Sequence, residues 1–183
     1  DIVWCQVPAG PFIMGSAEDD DQAYDDEKPQ HTLHLPTFYI SRYPITNAQY
    51  RLFVEGDGYE NPTYWTEAGW AWRNGAEVDL SAYDANPDVK QQVAEWLAQR
   101  PVKRRVRPYW WDDPIWGAPT RPVVGISWYE VLAYGRWLTA RIQGLDPSAW
   151  CVWRAGRVMA PDAAQDEVLL AAIARETVRV RLP

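Results

Sequence analysis

Histidine and cysteine are nearly missing from this chain, two of each in 183 residues. That scarcity removes most of the usual metal and thiol chemistry. Cys5 and Cys151 lack the short spacing of a zinc knuckle or a redox pair, so buried free thiols are the expectation. A disulfide between them would need an oxidising compartment that nothing else in the chain indicates. His31 and His34 stand three apart in a strand-like stretch, which points them to opposite faces and keeps them from sharing one metal ion without a bulge. No metal site is expected here.

Long hydrophobic runs are absent too. No stretch of about eighteen apolar residues offers a membrane span, and no basic segment precedes an apolar one as in a signal peptide. The chain therefore reads as cytoplasmic, with no membrane partner. Excess positive charge is the third thing lacking: 18 Lys and Arg face 25 Asp and Glu, for a net charge of −7. Phosphate binding depends on accumulated positive charge, so nucleic acid is not expected as a partner. One local exception is Lys103, Arg104, Arg105 and Arg107, set beside Tyr109, Trp110 and Trp111. That run reads either as a cation–π or phosphate-binding patch, or as a solvated connector bracketed by Pro101 and Pro108.

What is present in excess is tryptophan, 12 residues, with 10 tyrosines besides. Such a load makes either an aromatic core or an adhesive surface, since Trp and Tyr combine a large rigid contact area with a polar tip. Two stretches concentrate it. Asn61 to Arg73 carries Tyr64, Trp65, Trp70 and Trp72, and Tyr109 to Pro119 carries Trp110, Trp111 and Trp116 around Asp112 and Asp113. Loops of this kind either pack on a neighbour or line a pocket.

The organising stretch is Arg121 to Arg141, RPVVGISWYEVLAYGRWLTAR. A strand-like run from Pro122 to Ile126 stops at Ser127, and Glu130 follows three residues later at capping-box spacing. Val131, Tyr134, Leu138 and Ile142 then recur at helical steps, while Ala133 and Gly135 leave room for a close neighbour. Earlier, Ile2 to Val7 and Phe12 to Met14 read as a hairpin turning at Pro8 to Pro11. Ser16 to Gln30 holds seven acids but lacks the EF-hand order, which favours a solvated loop over a calcium site. His31 to Ile40 alternates as a strand. Thr46 caps a helix from Asn47 to Glu55, and Asp88 to Gln99 forms another. Thr66 is placed to cap a single turn, but the spacing of the residues after it fixes no helix. Gly144 to Pro161 reads as irregular, Asp162 to Arg175 as a capped helix, and Thr177 to Leu182 as a strand.

VPAGPFIMGS, an acidic loop, DEKPQHTLHLPTFYISRYPITNAQYRLFVE, RPVVGISWYEVLAYGRWLTAR and the closing VRLP occur in an order that resembles the sulfatase-modifying-factor family, the formylglycine-generating-enzyme domain. The likeness covers Val3 to Val54 and Pro119 to Arg141, with Val180 to Pro183 similar to the start of the family's next motif. It implies an α+β, C-type-lectin-like fold with much irregular structure, present as the N-terminal portion of a single domain over residues 1–183, with 144–177 as an atypical insertion. The family includes copper-dependent oxidases that make formylglycine, iron enzymes of the ergothioneine pathway, and non-catalytic bacterial binding domains. In the oxidases a thiolate pair on the C-terminal half holds Cu(I), and calcium ligands lie mostly there as well. Neither Cys5 nor Cys151 matches those positions, and residue 135 is Gly where many relatives have Cys. The resemblance thus implies no catalytic residue and no cofactor within these residues, with calcium expected only in a C-terminal half that is also an expected partner. The aromatic loops look like those of bacterial binding copies. Trp65, Trp70, Trp72, Trp110, Trp111 and Trp116 are accordingly the candidate ligand-binding residues, for a protein or a small ligand, and a formylglycine-generating oxidoreductase is the alternative.

Overall fold

The structure, a computed structural model, describes residues 2–81, 86–143, 145–175 and 178–180. It is mixed α and β, and its contacts divide the chain into two compact units. The first comprises residues 43–145 together with the stretch from 173 onward; the second comprises 2–42 with 146–172.

In the second unit, β1 (Val3–Val7) and β2 (Gly10–Met14) are followed by the acidic loop and then by β3 (His31–Leu35) and β4 (Phe38–Ser41). The expected β1–β2 hairpin does not form. β1 pairs antiparallel with β4 and β2 with β3, so the chain makes one long ribbon that bends on both strands. The prolines explain the bend. Pro8 and Pro11 on one strand and Pro36 on the other lack the N–H a continuous ladder needs, and the gap is closed by the Ala9 amide donating to Thr37 Oγ1 at 3.1 Å. The same break splits the expected strand His31 to Ile40 in two. His31 pairs with Met14 and His34 with Pro11, so the histidines lie on opposite faces as their spacing predicts.

A second departure lies between residues 144 and 161. Instead of irregular chain, β5 (Cys151–Arg154) and β6 (Arg157–Met159) form a hairpin, and β5 lies parallel to β1 in a sheet of order β4-β1-β5-β6. The turn residues Ala155 and Gly156 both take positive φ, 50° and 79°, the twist a two-residue hairpin requires. Strands of four and three residues, each with one charged end, give too short a pattern to read as β, and the pairing of β5 with β1 supplies what local propensity lacks. α5 (Glu167–Ala174) starts later than its sequence suggests, because Asp162 to Gln165 forms a turn closed by Asp162 accepting from the Asp166 amide. Beneath the sheet, buried Asp166 accepts from the Tyr39 hydroxyl at 2.9 Å and the Asp162 amide at 2.9 Å, and faces the Arg154 guanidinium.

The first unit is built on α4 (Trp128–Ile142). Ser127 and Glu130 form the capping box their spacing predicts, and the helix buries Ala133, Tyr134, Gly135, Trp137 and Leu138. α1 (Asn47–Glu55), capped by Thr46 with Gln49, lays Tyr50 and Phe53 against it. Tyr50 stacks on Tyr134 at 4.8 Å between ring centroids, and Phe53 meets Tyr134 and Trp137 edge-on at 5.7 and 5.6 Å. Such offset and edge contacts add about 0.5–1.5 kcal/mol per pair to plain burial. α2 (Glu67–Arg73) starts at Thr66, whose side chain accepts from the Gly69 amide.

Pro122 to Ile126 is not a strand. Pro122 makes one bridge with Thr46, and the run is anchored by the Val123 amide donating to Ile45 O. Gly125 breaks the extended path at φ +70°, and a Cβ there would lie 2.7 Å from Trp110 Cδ1. α3 (Pro87–Ala98) forms where expected, yet no residue in it is buried and Val89 and Trp96 are exposed. Of the expected final strand, Val178 to Val180 carry no strand geometry; Thr177, Arg181 and Leu182 lie outside the described residues. Val180 instead runs along α4, its amide donating to Thr139 Oγ1 at 2.9 Å and its carbonyl 3.3 Å from where a Cβ on residue 135 would sit. It is the close neighbour for which Gly135 leaves room.

Candidate functional site

The six candidate tryptophans separate by burial. Trp65 and Trp72 are only 4% and 6% exposed and belong to the core, which corrects their place on a ligand surface. Trp65 donates its indole N–H to Gly58 O at 2.9 Å and packs on Tyr59. Two guanidinium groups lie against Trp72, Arg100 at 5.2 Å and Arg105 at 5.1 Å from its ring centre. Trp70 and Trp111 are half-buried, with Arg73 and Arg51 respectively over their rings. Trp110 and Trp116 stand out at 43% and 46% exposed, and Ile115 between them is exposed as well. A helix turns its tryptophans inward along one stripe, as α2 does with Trp72, whereas a turn-rich loop has no such obligation.

That loop is held at both ends by buried polar side chains. Asn47, at the first position of α1, donates its amide to Trp116 O at 2.6 Å and to Ala118 O at 2.9 Å. At the other end Arg100 donates to Arg107 O at 2.8 Å, and the Tyr109 amide donates to Gly125 O at 2.8 Å. Inside the loop Asp113 Oδ1 accepts from the amides of Ile115 and Trp116, both at 2.8 Å, and its carbonyl accepts from Gly117. Trp110 meets Tyr109 edge-on at 4.7 Å. The exposed rings are therefore mounted on satisfied backbone, which lowers the entropy cost of ligand contact.

Arg100 owes its position to Glu130. The carboxylate takes Arg100 Nη1 at 2.8 Å on Oε2 and Nη2 on Oε1, a bidentate pair with both side chains buried. Tyr59 donates its hydroxyl to Oε1 and the Ser127 amide donates to Oε2, so both oxygens are fully used. Burial pushes the Tyr59 and Tyr50 hydroxyls well above the usual phenol range, and the nearby Glu130 charge adds to the effect. Capping alone accounted for Glu130 in the sequence; its second partner lies 30 residues away and had no local signal. Asn47 was equally invisible, reading as an ordinary helix residue.

Beside Trp110 a cleft of about 280 Å³ is lined by Arg104, Arg107, Pro108, Tyr109, Asp112 and Asp113 as well as by Trp110 itself. Arg107 pairs with Asp112 at 2.7 Å on the surface. Of the basic run, Arg105 is not a solvated connector residue: it donates to Trp72 O and Arg100 O, while Lys103 and Arg104 are exposed.

Among the described residues no three His, Cys, Asp or Glu side chains gather where they could hold a metal ion. Cys5 and Cys151 are free and half-buried rather than buried, because their face of the sheet, shared with Phe38 and Ile40, is left partly open. They come closer than their sequence separation suggests. Val3 pairs with Cys151, so Cys5 lies one step along the same face of the neighbouring strand. Strand spacing of about 4.8 Å and two residues' rise of about 3.3 Å each put the Cα atoms roughly 8 Å apart, beyond the span of an unstrained disulfide.

Residues 3–183 match the sulfatase-modifying factor enzyme 1-like domain. Among curated relatives, a hercynine oxygenase from Mycolicibacterium smegmatis is 30% identical over 149 residues, covering 80% of this chain and 31% of that protein. A formylglycine-generating enzyme from Streptomyces coelicolor is 32% identical over 143 residues, 75% of this chain and 42% of its own length. One from Bos taurus is 29% identical, over 74% of this chain and 35% of that enzyme. The chain thus spans less than half the length of these relatives. The match extends over nearly every residue, and the mixed helix and strand content is consistent with it: the chain belongs to the sulfatase-modifying factor enzyme 1-like family.

Proposed function

We propose that these residues form a non-catalytic ligand- or protein-binding part of the family's domain, with the loop from Tyr109 to Trp116 as the contact surface. The observation that carries this reading is the exposure of Trp110, Ile115 and Trp116 on a loop pinned by Asn47 and Arg100. Large exposed apolar side chains on rigid backbone are what binding hot spots are made of. The reading favours a bacterial, cytoplasmic setting, without nucleic acid or membrane as partner.

Indole fluorescence of the protein, titrated with a collection of small metabolites and short peptides, tests this directly. Ligands are expected to perturb the emission and to lose at least about tenfold in affinity with Trp110→Ala or Trp116→Ala. Trp72→Ala serves as the contrast, lowering stability by about 3–5 kcal/mol as a core truncation does. If every compound that binds does so equally to the Trp110 and Trp116 variants, the loop is not the site.

A second reading has its own support. The relatives named above are an oxygenase and formylglycine-generating enzymes, and this chain covers less than half of each. On that reading the chain is part of a formylglycine-generating oxidoreductase whose thiolates lie outside these 183 residues. Oxidation of a Cys-containing peptide by the natural gene product loaded with Cu(I) supports it; inert peptide under those conditions removes it.

A further inference from the structure

Charge around the exposed loop runs against the charge of the chain. The whole protein carries −7. Within and beside the loop stand Lys103, Arg104, Arg107 and Arg121, four cations against the two carboxylates of Asp112 and Asp113. Those carboxylates are engaged: Asp112 is tied to Arg107, and Asp113 Oδ1 already accepts two backbone amides. Arg104 lines the cleft with no acidic partner among the described residues. Arg121 lies over the Trp116 ring at 5.8 Å, which leaves its charge exposed beside an aromatic face.

Resting on the proposed role of this loop, we infer that its ligand is an acidic peptide segment carrying an aromatic side chain. Each part of the cleft supplies one half of that recognition. The guanidinium of Arg104 presents an unused planar fork of donors, the geometry suited to a carboxylate. Arg107 adds a second when its exposed pair with Asp112 opens, and an exposed ion pair costs about 1 kcal/mol or less to open. The Trp110 ring, braced edge-on by Tyr109, offers a face for a Tyr or Phe of the ligand. The cation–aromatic pairing recurs at Arg121 and Trp116, which suits an extended chain better than a compact metabolite. Duplex or single-stranded nucleic acid presents denser charge than four cations neutralise.

The probe is a fluorescently labelled, end-capped peptide of Glu and Asp around a central Tyr, followed by anisotropy with the full 183-residue chain. Binding is expected to weaken about tenfold with Arg104→Glu, about tenfold with Trp110→Ala, and several-fold on raising salt from about 50 to about 300 mM. Replacing the peptide's Tyr by Ala is expected to cost about as much as Trp110→Ala, and the two losses should not add, since they remove the same contact. Thermal melts of both variants, which change exposed side chains, are expected to match the parent. A neutral Tyr peptide, with Gln and Ser in place of the acids, that bound equally well and still depended on Trp110 would overturn the acidic inference and leave the loop as the site. Tighter binding of a short oligothymidylate than of the acidic peptide would overturn it in favour of nucleic acid. No binding of the acidic peptide at millimolar concentration overturns it outright.

Discussion

Replacing Glu130 by Gln keeps the shape of the side chain and an oxygen to accept from Ser127 or Tyr59, but leaves the Arg100 guanidinium charged, buried and without its counter-ion. Arg105 worsens the position, because its own guanidinium lies on the same Trp72 ring. Breaking a buried pair from one side costs about 3–5 kcal/mol. Against a total stability of about 5–15 kcal/mol, that is a large fraction. For a chain of this size each kcal/mol moves the melting temperature by about 2–4 °C, so a fall of about 6–20 °C is expected. Urea unfolding followed by tryptophan emission and thermal circular dichroism measure it. Arg107→Ala, which breaks only the exposed pair with Asp112, is the control and should cost about 1 kcal/mol or less. The double variant Arg100→Met with Glu130→Leu should recover part of the loss, since removing both charges removes the uncompensated one. Because Arg100 also holds Arg107 O, the single variant should loosen the aromatic loop, seen as faster amide exchange there. A Glu130→Gln protein within about 1 kcal/mol of the parent, with the double variant no better, would falsify the claim that this pair organises the first unit.

Two further outcomes follow from the same unit. Thr139→Val removes the acceptor for the Val180 amide and the donor to Gly135 O, and should cost about 1–3 kcal/mol, with amide exchange at Val180 accelerating; unchanged exchange would show that Val180 does not rest on α4. Burial raises the hydroxyl of Tyr134 to about 12, and burial with the Asp166 contact raises Tyr39 to about 12 as well, while Tyr50 and Tyr59 lie well above the usual range. In the unfolded chain these groups ionise near 10, so stability is complete below about pH 10 and falls as pH rises through about 12. The share of the phenolate absorbance near 295 nm that these four tyrosines contribute should therefore appear together with unfolding, and its gradual appearance with the fold intact would contradict the burial assigned to them.

The helices of the first unit were legible because their signals are local. Ser127 with Glu130, and Thr46, each announce a helix start within a few residues, and a 3.6-residue apolar period identifies the buried side of α4 and α1, whereas the aromatic spacing after Thr66 did not fix α2. The family, too, was written in linear motifs. Strand pairing was not. Alternation located β1 to β4 but could not say that prolines would bend them into one ribbon, nor that β5, 144 residues beyond β1, would lie beside it. A partner in a sheet is chosen by tertiary context, because the strand's own sequence specifies a face and not a neighbour.

For the site, the sequence by itself determined which residues were aromatic and where they clustered, and no more. Trp65, Trp72, Trp110 and Trp116 are indistinguishable as letters; whether a ring becomes core or contact surface depends on the face of the element that carries it and on what packs there. α2 turns Trp72 inward against two guanidiniums, while the loop after Pro108 is held by Asn47 and by Arg100. Those two clamps act over 69 and 7 residues of sequence, and Arg100 is in turn fixed by Glu130, 30 residues on. The sequence supplied the capping, the periodicity and the family. The tertiary structure alone decided which tryptophans face water, because burial is a property of packed elements and has no counterpart in the local pattern of the chain.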